Sequence, residues 1–145
     1  MTAAADAGAS PTPHRIVNPP DLLAPAGFAH ALVAAPGRFV FLGGQTARAA
    51  DGSLPGPGIV EQFDASAANV VIALEAAGGR AEHIAWMQVF TSDADAYLGS
   101  LKEIGQAYRR HFGAHYPAMA WFEVRSLFDS AAIVEIMAIA IVPEP

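Results

Sequence analysis

At 145 residues the chain fits one domain with one substantial core, and 53% apolar against 15% charged residues is rich for a soluble monomer, so a subunit interface is expected. Only eight Lys and Arg against 14 Asp and Glu leave a formal net charge of −6, which argues against gripping nucleic acid or adhering to an anionic membrane. With no cysteine, disulfides, thiolate nucleophiles and thiolate metal sites are excluded.

Residues 1–13 lack the basic start and apolar core of a signal peptide and are expected to form a disordered tail, with residues 14–145 as a single domain. No apolar run reaches the ~18–20 residues that span a bilayer, so the expected compartment is the cytoplasm. Ile16 to Pro20 reads as a short extended piece stopped by two prolines. His30 to Ala35 and Arg38 to Leu42, joined by Pro36-Gly37, predict a β-hairpin whose second strand ends in Gly43-Gly44-Gln45-Thr46. A loop over Arg48 to Gly58 follows. The spacing of Phe63, Ala67, Val70, Val71 and Leu74 predicts a helix over Val60 to Ala77, stopped by Gly78-Gly79. His83 to Thr91 reads as a strand buried on both faces. Asp95 to His111 reads as a second helix, with Leu98, Leu101, Ile104 and Phe112 in its apolar stripe. Met119 to Val124 and Ile133 to Val142 are two further strands joined by residues 125–132.

Two amphipathic helices and one largely apolar sheet predict a two-layer α+β domain. Helices on one face leave the other bare although its strands are apolar on both sides, and copies of the chain are the simplest cover.

Among residues that can carry chemistry, Glu135 stands out, alternating onto the face of Ile133, Met137 and Ile139. Desolvation raises a carboxyl pKa and suits it to general acid–base work near neutral pH; a carboxylate satisfied by an amide, an arginine or water in an interface fits the same pattern. Glu123 reads as a structural acid, held in an ion pair with Arg125 or Arg38 or in an intersubunit hydrogen bond. Gly43-Gly44 lets another group approach the backbone, whose amides could receive a carbonyl or carboxylate oxygen; a strained strand end explains it equally. Arg109-Arg110-His111 reads as a solvated helix end completing the helix dipole. The histidines show no ligand spacing, so no metal site is expected. Lys102, the single lysine, reads as solvated.

From Arg15 to Val142 the sequence resembles the reactive-intermediate-deaminase (Rid, or YjgF) family. The residues that carry the resemblance are Phe39 to Gln45, Glu61-Gln62-Phe63 through Asn69, Leu74 to Gly79, Val89 to Asp93, Tyr108 to Ala118 and Glu135 to Ala140, in the family's order. The resemblance implies a chorismate-mutase-like fold, a homotrimer burying its sheets in a central barrel, and small-molecule clefts at the subunit boundaries. It implies hydrolysis of imines and enamines such as 2-aminoacrylate without a cofactor, with the acid at Glu135 positioning or activating water.

The family's Pro-Ala-Arg is Pro117-Ala118-Met119 here, so its carboxylate-binding arginine is missing. Its Tyr-Ser-Gln is Phe28-Ala29-His30, its serine before Gly-Gln is Gly43, an asparagine of its second helix falls at Gly105, and its second terminal acid is Met137. Glu135, Gln45 and Gly44 remain as the catalytic candidates, with Phe28, His30, Gly43, Met119, Trp121 and Phe128 as the ligand-binding ones. The expected function is acid–base chemistry on a small imine, enamine or enol-type intermediate other than 2-aminoacrylate, the ligand being larger and less acidic. A non-catalytic trimer that binds a small molecule or a partner protein is the alternative. Arg48, Arg38 or Arg125 are the residues considered as replacements for the missing guanidinium.

Overall fold

The computed structural model describes residues 12–145. Most of the expected tail, residues 1–11, lies outside the described residues; Thr12 already donates a 2.7 Å hydrogen bond to the Glu82 carbonyl. The strands are β1 (Arg15–Val17), β2 (Ala31–Val33), β3 (Arg38–Gln45), β4 (Ile84–Thr91), β5 (Ala118–Glu123) and β6 (Val134–Val142). The helices are α1 (Ile59–Ala76), α2 (Ala94–Leu98) and α3 (Leu101–Phe112). Among the described residues no helix is long and apolar enough to cross a membrane.

The expected hairpin does not form. β2 pairs with β1 in a small antiparallel sheet, whereas β3 joins a mixed sheet of order β3-β6-β4-β5. Two observations explain the difference. The eight residues of β3 find a long apolar partner in β6, with Val40 opposite Ala140 and Leu42 opposite Ala138. Gly37 is needed for proximity and not for a turn, since a Cβ there would run into the Val142 carbonyl.

α1 buries Phe63, Ala67, Val70 and Leu74 against the sheet, as its spacing predicts, and Glu61 reaches back to accept from the Gly58 amide at 2.9 Å. Gln62, buried on the same helix, donates to the Gly56 and Ala131 carbonyls and accepts from the Ile133 amide, which stitches α1 to the loop before it and to the start of β6. The second expected helix is broken at Gly99-Ser100: the Gly99 amide closes α2 on the Asp95 carbonyl and α3 begins afresh.

β4 is not buried on both faces. Met87, Val89 and Thr91 lie under the helices, while Trp86, Gln88 and Phe90 are half-buried on the opposite side. β6 alternates likewise, with Val134, Ile136 and Ala138 inward and Glu135, Met137 and Ile139 on the face the helices leave bare. Phe39, Phe41 and Phe122 are exposed by 65%, 74% and 42%, so this bare face carries a broad apolar surface.

Candidate functional site

The candidate residues fall into two groups. At one end of the β3–β6 ladder, Leu42 pairs with Ala138 and Gln45 with Ile136, so Gly43 and Gly44 together stand opposite Met137. This is a β-bulge, a device that re-aims a strand where a side chain must be placed. The Glu135 side chain lies flat against Gly44: a Cβ there would overlap its Oε1 and come within 2.9 Å of its carboxyl carbon. The Gln45 side-chain Nε2 donates to the Gly43 carbonyl at 3.3 Å. Glu135 is half-buried, pairs with Phe90 across the sheet, and Phe90 in turn stacks on Phe122 at 5.6 Å. Among the described residues no side chain hydrogen-bonds or ion-pairs with its carboxylate. A lone acid thus sits in an otherwise aromatic row.

The second group surrounds a cavity of about 550 Å³ at the outer edge of β5, between that strand and the α2–α3 segment. Phe28, Met119 and Trp121 line it, with Tyr97, Tyr108 and Tyr116 beside them. The break at Gly99-Ser100 shapes its rim, because it lets Leu98 and Leu101 both turn toward the opening. Burial pushes the Tyr97 phenol up to about 12 and the Tyr108 phenol further upward, so both stay un-ionised at neutral pH. The Tyr108 hydroxyl donates to the His115 carbonyl at 2.6 Å, which spends its proton within the fold. The Trp121 indole N–H is buried and has no partner among the described residues.

These two groups cannot meet within one chain. β3, with Gly44 and Gln45, and β5 are the opposite edges of the sheet, roughly 14 Å apart over three inter-strand spacings; Glu135 on β6 is nearer but faces away from the helices, whereas Met119 and Trp121 pair with the inward-facing Met87 and Val89.

The remaining candidates lie elsewhere. The His30 ring bonds the Leu23 carbonyl at 2.7 Å and meets Phe28 edge-on, outside the cavity. Phe128 is fully exposed on the 125–132 connection and does not line the cavity. Gly43 faces open space. Neither Arg38, Arg48 nor Arg125 reaches the cavity. Arg38 pairs with Glu144 at 3.3 Å, and Arg48 grips both oxygens of Asp129 at 2.6 and 2.9 Å, holding that carboxyl down at about 2. The guanidinium that does line the cavity is Arg109, with Gly105 one turn before it. Sequence reasoning missed Arg109 and the three tyrosines. The Leu101, Gly105, Arg109 spacing of four was the available signal, since it puts all three on one helical face.

A mixed sheet with helices on one face and an aromatic cavity at its edge defines a small α+β domain. The family model described as endoribonuclease L-PSP matches residues 21–142, and the chain belongs to that family, the YjgF or Rid family. Among solved structures it is similar to YyfB of the Rid family from Yersinia pestis, with 26% identity, a TM-score of 0.79, and coverage of 89% of this chain and 98% of that one. It is also similar to yeast Mmf1, with 26% identity, a TM-score of 0.62, and coverage of 88% and 98%. A YjgF-family protein from Mycobacterium tuberculosis is 27% identical at a TM-score of 0.58, covering 80% of this chain and 87% of its own. No curated protein matches the chain.

Proposed function

We propose that three copies of this chain associate through the bare sheet face, so that Glu135, Gln45 and Gly44 of one copy meet the β5-edge cavity of the next. The cleft so formed acts by acid–base chemistry on a small imine, enamine or enol-type intermediate. The observation that supports this is the placement of Glu135 on the bare face, half-buried, pressed against a glycine bulge and free of a partner among the described residues.

For an imine the steps are hydrolytic. Glu135 takes a proton from water as the oxygen adds to the C=N carbon and passes that proton to nitrogen, giving a neutral carbinolamine. Glu135 then takes the hydroxyl proton, backbone amides near Gly44 stabilise the oxygen as charge develops on it, and the same proton is returned to nitrogen as the C–N bond breaks, so that a carbonyl compound and ammonia leave. Nothing is oxidised or reduced, and the scheme needs no cofactor. RNA cleavage, which the family description names, fits poorly with a net charge of −6.

The test is hydrolysis of imines generated by an amino-acid oxidase, comparing small and bulky side chains, with wild type and Glu135→Gln. A loss of about 10²-fold or more in Glu135→Gln is expected; equal rates on every active substrate remove Glu135 from the mechanism. A non-catalytic binding trimer is the second reading, favoured by the mainly apolar lining around Met119 and Trp121. It predicts thermal stabilisation by ligand without turnover.

A further inference from the structure

The β5-edge cavity is apolar and aromatic apart from one charged side chain. Arg109 alone among its lining residues carries a charge. Its guanidinium folds back over Gly105, with Nη1 3.4 Å and Nη2 4.0 Å from the point a Cβ on that glycine would occupy. Alanine there would just touch it, and any longer side chain would contend for the same space. The bare backbone at Gly105 therefore provides the room in which the guanidinium lies.

Four other arginines are already engaged: Arg38 by Glu144, Arg48 by Asp129, Arg80 by Glu82 and Arg110 by Asp64. Arg109 has no ion pair among the described residues, and Arg15 and Arg125, which share that state, do not line the cavity. A planar guanidinium beside an apolar chamber is suited to one ligand shape, an apolar or aromatic body ending in a carboxylate. The fork grips two oxygens in parallel, while the rings of Phe28, Tyr97 and Trp121 take the body. A cavity of about 550 Å³ holds a ligand of that size, since small-molecule sites run from roughly 300 to 1,000 Å³.

We infer that Arg109 is the anion-anchoring residue of this cleft and that the substrate is a monocarboxylate with a bulky apolar or aromatic body. This rests on the cleft reading above, to which it adds the carboxylate end of the molecule. It revises the expectation of a less acidic ligand: the positive charge is present, on α3.

Binding, measured without turnover, tests it separately from the role of Glu135. The probes are 3-phenylpropionate, its neutral amide and propionate, titrated calorimetrically into wild type, Arg109→Gln and Arg110→Gln. Wild type should prefer the acid over the amide by roughly tenfold to a hundredfold, the worth of a charge-assisted pair, and should bind propionate more weakly than the phenyl acid. Arg109→Gln should bind acid and amide alike, and Arg110→Gln should keep the preference. Equal affinity for acid and amide in wild type, no binding of either phenyl compound, or the same loss in both arginine variants overturns the inference. Failure here leaves the Glu135 assay free to succeed, and failure of that assay leaves this preference measurable.

Discussion

Gly44 and Glu135 pack as one unit at the scale of single residues. A methyl group at position 44 would occupy the volume now held by the Glu135 carboxylate. The obstacle is the far end of a side chain that can swing away, so the backbone need not move. Gly44→Ala is therefore expected to shift the melting temperature little yet lower turnover about as much as Glu135→Gln, roughly 10²-fold or more. Thermal melts and imine hydrolysis on the same sample check it. A fully active Gly44→Ala would show that the position of the carboxylate against the bulge does not matter. The Gly-Gly pair was legible in the sequence as a place of close approach, but not what approaches it. The occupant lies some 90 residues away, and only the β3–β6 register brings it there.

Elements are held together by buried histidines, and the seams at His83 and His115 are sensitive to acid. His14 accepts from the Ala35 amide through Nδ1 at 3.1 Å and bonds the His83 carbonyl through Nε2 at 2.9 Å, fastening the end of β2 to the turn before β4. His83 accepts from the Arg80 amide at 3.0 Å, and His115 bonds the Ile84 carbonyl at 2.6 Å. Burial holds the pKa of His83 and of His115 below the usual histidine value. Both are neutral in the fold, whereas the unfolded chain takes up their protons near the ordinary pKa of ~6.5. Stability conferred by the neutral forms is complete above that value and declines as pH falls through it toward the lower folded pKa values. Calorimetric melting temperatures should fall between about pH 7 and pH 5, and His83→Gln should flatten the decline; an unchanged profile in that variant excludes His83 as a contributor. These long-range seams also explain where sequence patterns stopped being informative. Pro36-Gly37 carries the composition of a hairpin turn, yet the apolar length of β6 outcompetes three-residue β2 as a partner for β3. α1, by contrast, has caps and a core stripe within its own 18 residues and follows its pattern closely. Gly99-Ser100 lies inside the apolar spacing that predicts one helix over Asp95 to His111, yet the Gly99 amide closes α2 on the Asp95 carbonyl and α3 starts afresh at Leu101.

For the whole molecule the decisive feature is the aromatic surface opposite the helices. Phe39 and Phe41 stack on each other at 6.0 Å in full view of solvent, on the same face as Glu135. Burying a phenylalanine side chain contributes about 1.5–3 kcal/mol, so the proposed association would gain several kcal/mol per copy by covering this patch. Phe41→Asp replaces the most exposed of the bare-face aromatics by a charge that cannot be buried unpaired. Light scattering should find wild type at three times the 15.1 kDa chain mass and Phe41→Asp at one, with unchanged circular dichroism because residue 41 packs against no helix. A wild type already at single-chain mass would remove the shared cleft. The same variant separates the two halves of the site. Within one chain Glu135 on β6 faces away from the helices, whereas the β5-edge cavity lies on their side of the sheet, so the monomer should lose turnover with every catalytic candidate intact. Arg109 and the aromatic lining belong to a single chain, so it should still prefer 3-phenylpropionate over the amide. Loss of turnover with retained acid preference is the outcome only an intersubunit reaction built on an intrachain anchor produces.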